Sequence, residues 1–381
     1  MDSRQSEIFW KNGGLALVVW LTLSLLCVFA ELWAGNRALF VAYQGRVYFP
    51  LFQGQLPGRT FGLPYDYETD YRELEKLSHT SPPTPNPSLR EGNLDMGAAP
   101  PNPTGNTSDF YPSSSSATTA KAPFVLLPLI PYSPIENSLS LTNPNAYAPS
   151  PPDFASTHYL GTDPLGRDIL VRLVYGYRNA LIFASLYLVG LMVIGTLLGV
   201  AFGYYGGLFD FLGQRLIEIW SNIPFIYVVM IVASIISPNL FWLVVLSLVF
   251  GWTGIAAFVR ALSFREKTRD FVLAAKASGS SDFRIITRHI LPQLGGILLT
   301  FLPYQAVGAI TTLTSLDFLG FGLKPPEASW GELLSTGSGS LQAPWIVSSV
   351  VAAMTLVLVL LTIIGNALRE ALDPKTLLRY R

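Results

Sequence analysis

From Gly13 to Ala30 an apolar run led by Lys11 contains no charged residue. A helix needs about 20 apolar residues to cross the hydrocarbon core, so this run predicts a first membrane span. A cleaved signal peptide is the competing reading, but no A-x-A-like site follows and Glu31-Leu32-Trp33 fits an interfacial anchor. Asn179 to Phe209 is uncharged and predicts a second span ending near Gly203. Ile219 to Val259 carries no charge either and is too long for one helix. Ser237-Pro238-Asn239 divides it into a third and a fourth span, because proline and asparagine favour a turn. Ile290 to Leu316 supplies the fifth span and Trp345 to Leu368 the sixth. The pattern predicts an all-α integral membrane protein with six transmembrane helices and both termini on one side.

Lysine and arginine in short loops set which side that is. Residues 260–289 hold Arg260, Arg265, Lys267, Arg269, Lys276, Arg284 and Arg288 against Glu266, Asp270 and Asp282. The C-terminal tail adds Arg369, Lys375, Arg379 and Arg381, whereas residues 317–344 carry Lys324 against Asp317, Glu327 and Glu332. Both termini are therefore expected in the cytoplasm. Residues 1–32 form the N-terminal tail and first span, residues 33–178 an outer segment, and residues 179–381 a five-helix core. Within the outer segment, residues 33–77 mix aromatics with charge (Tyr43, Tyr48, Phe49, Phe61, Tyr65, Tyr67, Tyr71) and suit a small folded cap. Residues 78–122 are rich in Pro, Ser, Thr and Asn and bury too little apolar surface to offset chain entropy, which predicts a disordered insertion.

Composition narrows the function. Half of the 381 residues are apolar and 13% are charged, against about 25% in soluble proteins. A formal net charge of zero argues against a nucleic-acid partner. The lone Cys27 excludes a disulfide framework, and His79, His158 and His289 form no metal-ligand pattern. No Ser/His/Asp set or facing carboxylate pair stands out, so the chain is not expected to be an enzyme. No G-x-x-x-x-G-K-[ST] motif is present to cradle ATP phosphates. A secondary transporter working alone would show inverted repeats and ionisable groups at mid-membrane. Arg215, Glu218 and Asp317 instead sit near span ends, and Arg215 with Glu218 is most simply an i,i+3 pair.

Two polar segments carry the specific information. In the loop at about 261–292, residues 268–278 are mostly good helix formers that keep small side chains at Ala274, Ala275, Ala277 and Ser278. Gly279 can end that helix in a left-handed conformation. Ser281 can cap a second one, with Asp282 in its first turn. The result is a cytoplasmic helix–glycine–helix hairpin tied directly to the fifth span at Leu291-Pro292. From the alanines alone, a solvated connector is the simpler reading. Before the second span, His158 to Asp168 is turn-rich. Gly161 and Gly166 permit unusual backbone angles, Asp163 can bond its own backbone, and Arg167 and Asp168 begin a helix that runs through Arg172. A structural elbow is the reading its residues support; the D-x-[DN]-x-[DN]-G order of a calcium loop is absent.

The loop resembles the EAA loop of ABC-importer permeases through Ala274, Ala275, Gly279, Leu291 and Pro292, with Leu273 standing where the family often has glutamate. The elbow resembles the GTDxxGRD signature of dipeptide and oligopeptide importer permeases through Gly161, Thr162, Asp163, Gly166, Arg167 and Asp168. Further points of similarity are Gly203 to Gly207, Phe318 to Gly322, Pro325-Pro326, Ser329-Trp330-Gly331 and Leu368 to Pro374. Residues 39–77 look like the subgroup associated with microcin C and other peptide uptake. The resemblance implies a type I importer permease with a homologous second permease subunit, cytoplasmic ATPase subunits that hold ATP and Mg, and a periplasmic solute-binding protein. It implies no cofactor in this chain. It also implies peptide cargo, with nickel or another small solute as the alternative, and alternating access driven through residues 270–289. Ser221, Asn222, Gln305, Thr311 and Thr314 are polar positions suited either to a pore or to helix–helix contacts.

Overall fold

The computed structural model describes residues 3–63, 65–79, 123–139 and 147–372. From residue 80 onward the insertion read as disordered lies outside them, as do Asp373, Pro374, Lys375, Arg379 and Arg381 of the tail. The chain divides into two compact units, Glu31–Tyr132 and the remainder, Met1–Ala30 with Ser133–Arg381. Residues 133–168 thus group with the helices.

Helix α1 (Ser3–Val28) belongs to the larger unit. The smaller unit holds β1 (Phe40–Tyr43), β2 (Arg46–Tyr48), α2 (Pro50–Gln53), α3 (Tyr71–His79) and β3 (Phe124–Leu126). Strand β1 is central, antiparallel to both neighbours, with Val41 opposite Tyr48 on one side and Val125 on the other. The period-2 alternation of a strand places Val41 and Val125 on the inner face. There they join Phe61, Tyr71 and Leu74. Phe61 meets Tyr48 and Tyr71 edge-on at 5.2 and 6.1 Å. Several of the aromatics noted in the sequence are therefore the core of this unit, while Tyr67 lies exposed. Burial raises the Tyr71 hydroxyl to about 12.

The larger unit continues with α4 (Ile169–Tyr205), α5 (Gly207–Ser221), α6 (Phe225–Ile235), α7 (Leu240–Glu266), α8 (Asp270–Ala277), α9 (Asp282–Ile285), α10 (Leu291–Phe318), α11 (Trp330–Ser338) and α12 (Pro344–Leu372). Among the described residues five helical stretches are long and apolar enough to cross a membrane. A sixth forms if α5 and α6, bent by 67°, count as one span. The expected break at residues 237–239 is present, and Asn239 caps α7 by accepting from the Trp242 N–H at 3.0 Å. The bend at Asn222-Ile223-Pro224 was not anticipated from the uncharged run. Pro224 cannot donate a backbone hydrogen bond, and it occupies the N-cap position of α6. Asn222 turns its amide onto the Glu218 carbonyl at 2.6 Å, at the same bend. Arg215 and Glu218 pair at 2.5 Å, as their i,i+3 spacing led one to expect.

Glycine lets α4 and α7 pack backbone to backbone. Gly195, Gly199 and Gly203 recur every four residues along one face of α4. A Cβ on Gly199 would stand 2.6 Å from the Ala256 carbonyl oxygen and 2.7 Å from Val259 Cβ; one on Gly203 would stand 2.5 Å from the Arg260 carbonyl oxygen. In lipid, where apolar side chains gain little by leaving their surroundings, such small-residue faces drive helix association through close backbone packing. Helices α1 and α12 pack through Phe9, Ala16, Ile364 and Ala367.

Candidate functional site

At the start of α4 the chain makes a tight turn. Gly161 and Gly166 have φ of 77° and 73°. The Gly166 N–H donates to the Asp163 carbonyl at 2.8 Å, and the Ile169 N–H to that of Gly161 at 3.1 Å. Asp163 Oδ1 accepts from the backbone N–H groups of Leu165 and Arg167, at 2.9 and 3.0 Å. The helix itself begins at Ile169, one residue beyond Asp168, which serves as the N-cap and accepts from the Val171 N–H at 2.9 Å. Its other oxygen lies 2.8 Å from His158 Nδ1. Thr162 accepts from the Ser150 N–H at 2.9 Å.

The turn also organises buried charge. Arg167 Nε donates to Asp163 Oδ2 at 2.7 Å, and its guanidinium reaches Glu332 Oε1 at 2.9 Å. Arg172, fully buried, donates to Glu332 Oε2 at 2.7 Å and to the Pro134 carbonyl at 2.6 Å. Burial by itself lowers the Arg167 pKa, but Asp163 and Glu332 outweigh it and the pKa is raised. Glu332 is thus the common acceptor that joins α4 to α11. The sequence offered a way to find it: an arginine four residues into a long apolar helix requires a carboxylate partner. What it could not supply was which carboxylate, since the partner is 160 residues away.

Helix α11 is positioned by its own chemistry. Ser329 caps it through the Glu332 N–H at 3.0 Å. Trp330 stacks on Tyr177 at 5.3 Å and donates to the Leu173 carbonyl at 2.9 Å. Gly331 sits against α10, where a Cβ would overlap the Thr314 carbonyl oxygen. Asp317, at the end of α10, accepts from the Leu323 N–H at 2.6 Å. The Ser329-Trp330-Gly331 string therefore works as cap, stack and close contact in succession.

At the opposite end of α4, helices α8 and α9 form the hairpin. Gly279 has φ 77°, its N–H donates to the Lys276 carbonyl at 3.0 Å, and the Ser280 N–H donates to that of Ala275 at 3.1 Å. That pair of bonds is a Schellman cap, which favours glycine at the left-handed position. Ser281 holds the N-cap position of α9 but makes no side-chain cap bond, contrary to expectation. Ala274, Ala277, Ser278 and Gly279 are exposed, as are Leu273 and Phe283. Val272, Ile285 and Ile290 turn inward and pack with Leu191, Val200, Ile255 and Val259 of α4 and α7. A π-helical turn over Ile286–Ile290 runs straight into α10, with Pro292 among its first residues. Tyr204 at the end of α4 donates to Asp282 at 2.5 Å.

The hairpin residues and the elbow residues thus form two separate clusters at opposite ends of α4. Of the polar positions, Thr311 and Thr314 turn their hydroxyls onto their own helix, at the Val307 and Ile310 carbonyls, and Asn222 turns its amide onto the Glu218 carbonyl. Among the described residues no group of three His, Cys, Asp or Glu side chains is placed to hold a metal ion.

Residues 195–378 match the family of binding-protein-dependent transport system inner membrane components. The chain is 35% identical over 364 residues to the inner membrane ABC transporter permease protein YejE of Escherichia coli, an alignment covering 96% of this chain and 94% of that one. It is 41% identical over 222 residues, 58% of each chain, to the peptidoglycan transport system permease protein YejE of Agrobacterium fabrum. It is 35% identical over 225 residues, 59% of this chain and 72% of the other, to the oligopeptide transport system permease protein OppC of Haemophilus influenzae. The near-complete alignment with one of these relatives, joined to the family match across α5 to α12, places this chain in the family of binding-protein-dependent transport system inner membrane components, the multi-pass permease subunits of ABC importers.

Proposed function

We propose that this chain carries peptides across the bacterial inner membrane as one of two homologous permease subunits. Cytoplasmic ATPase subunits drive it, with ATP and Mg bound on them, and a periplasmic solute-binding protein delivers the cargo. Both termini and the α8–α9 hairpin face the cytoplasm, and residues 33–178 face outward. The chain itself performs no catalysis. The observation that carries this reading is the seating of the hairpin. Its outer surface is exposed alanine, serine and glycine, open to close approach, while Val272, Ile285 and Ile290 lock it onto α4 and α7. Displacing the hairpin displaces α10, to which it is joined without a flexible link. Ala274 and Gly279 form the docking surface in this reading, Ala275 lies half-buried beneath it against the core, and Leu291 and Pro292 make the junction to the span. Closure of the ATPases moves that junction and switches the cavity between outward-open and inward-open. Peptide cargo is supported by the oligopeptide and dipeptide permeases among the relatives.

Gly279→Trp tests the coupling. Nothing lies within 4 Å of a Cβ at Gly279, so the spans keep their packing. The left-handed backbone disfavours a side chain by about 1–2 kcal/mol, and the indole covers the docking surface. In the reconstituted complex, binding-protein-dependent and peptide-dependent ATP hydrolysis is expected to fall at least about tenfold, the equivalent of about 1.4 kcal/mol of coupling. A variant that hydrolyses ATP at the wild-type rate removes Gly279 from the interface. Stimulation by nickel and not by peptide would reassign the cargo.

A further inference from the structure

A groove of about 560 Å3 runs between α1, α4 and α12. Its trough is cut by small side chains on α12, where Ser348 and Ser349 are followed one turn later by Ala352 and Ala353. Leu23 and Cys27 of α1, Leu170 and Val174 of α4, and Leu356 and Val357 of α12 complete the lining. Tyr177 and Trp330 line the interior with their stacked rings. The polar atoms of both rings already have protein partners: Tyr177 Oη lies 3.1 Å from Ser24 Oγ, and Trp330 Nε1 donates to the Leu173 carbonyl. The groove therefore offers a guest apolar surface and very little else.

We propose that this groove is a binding site for one acyl chain of a phospholipid. Three observations select that occupant. The groove opens on the exposed apolar surface of the spans, continuous with Leu26 and Leu356. It lies at one end of every helix that forms it: Cys27 is the second-last residue of α1, Leu170 the second of α4 and Ser348 the fifth of α12. From Ser348 to Val357 it follows α12 for about 14 Å at about 1.5 Å per residue, close to the roughly 15 Å depth of one leaflet. A chain seated there presses on Trp330 and so supports α11, the helix that carries Glu332 to Arg167 and Arg172. The site depends on the membrane-subunit assignment; only the leaflet that supplies the lipid depends on the orientation proposed above.

The test uses the purified complex in lipid nanodiscs containing a phospholipid with a photoactivatable acyl chain, with cross-linked peptides mapped by mass spectrometry. Adducts are expected to concentrate on residues 348–357 and 23–27, at several times their frequency at the exposed apolar positions Val189 and Leu197. Ala352→Trp, which fills the trough, should cut the groove adducts at least tenfold, whereas Val351→Trp on the neighbouring face should not. Adducts spread evenly over the lipid-facing surface would overturn the site, as would equal labelling of wild type and Ala352→Trp. So would cross-links from Cys27 to a segment of a partner subunit seated in the groove. If Ala352→Trp does not assemble, the distribution of adducts on the wild type decides alone.

Discussion

Gly199→Leu will separate α4 from α7 and abolish accumulation of folded protein in the membrane. The argument is steric. A Cβ at this position already stands 2.6 Å from the Ala256 carbonyl oxygen and 2.7 Å from Val259 Cβ. Backbone cannot rotate away as a flexible side chain would, so relief requires the helix axes to part. Parting them also strips Gly195 and Gly203 of their contacts and loosens the cluster of Leu191, Val200, Ile255 and Val259 on which the hairpin rests. Overpacking in a close-packed interior typically costs about 1–3 kcal/mol for added methylenes; Gly199→Ala belongs in that range and Leu beyond it. The fitting control is Gly254→Ala on α7, where nothing lies within 4 Å of the added Cβ, and it should leave folding unchanged. Membrane yield and the thermal midpoint in detergent provide the measurement. Wild-type behaviour of Gly199→Leu would show that α4 and α7 are not held this closely.

Glu332→Gln is the second large effect expected. One carboxylate accepts from Arg167 and Arg172 together, and both guanidiniums are buried. Removing one member of a buried ionic set leaves an uncompensated charge and typically costs about 3–5 kcal/mol. Asp163 remains to hold Arg167 but lies 3.9 Å from Arg172 Nε, so it compensates only in part. A double-mutant cycle with Arg172→Met separates the pair from the background. The expectation is that the double variant loses less stability than the sum of the two single ones, because the second change removes the stranded charge. Additive losses would show that Glu332 and Arg172 do not act on each other. Since α11 is held to α4 by this carboxylate, binding-protein-stimulated hydrolysis should fall along with stability.

Five of the apolar spans were legible in the sequence because lipid demands length and the absence of charge, which any window of residues records. The elbow and the hairpin were legible as local objects for a related reason. Glycine at positive φ, an aspartate bonding its own backbone and a helix stop after four small residues are all settled within about ten residues. The docking role proposed for the hairpin, like the cargo, rests on resemblance and not on those local rules.

What the sequence did not reveal is whatever depends on a distant partner. The bend at Pro224 was hidden because an uncharged run looks the same whether it crosses straight or turns. A four-residue glycine spacing at 195, 199 and 203 does not say which helix packs against it. Arg172 announced a buried partner but not Glu332. Local rules fix turns, caps and spans because their energies come from neighbouring residues. Only the tertiary structure could decide which helix fills a glycine face and which carboxylate meets a buried arginine, because many pairings satisfy the same local chemistry and packing admits one.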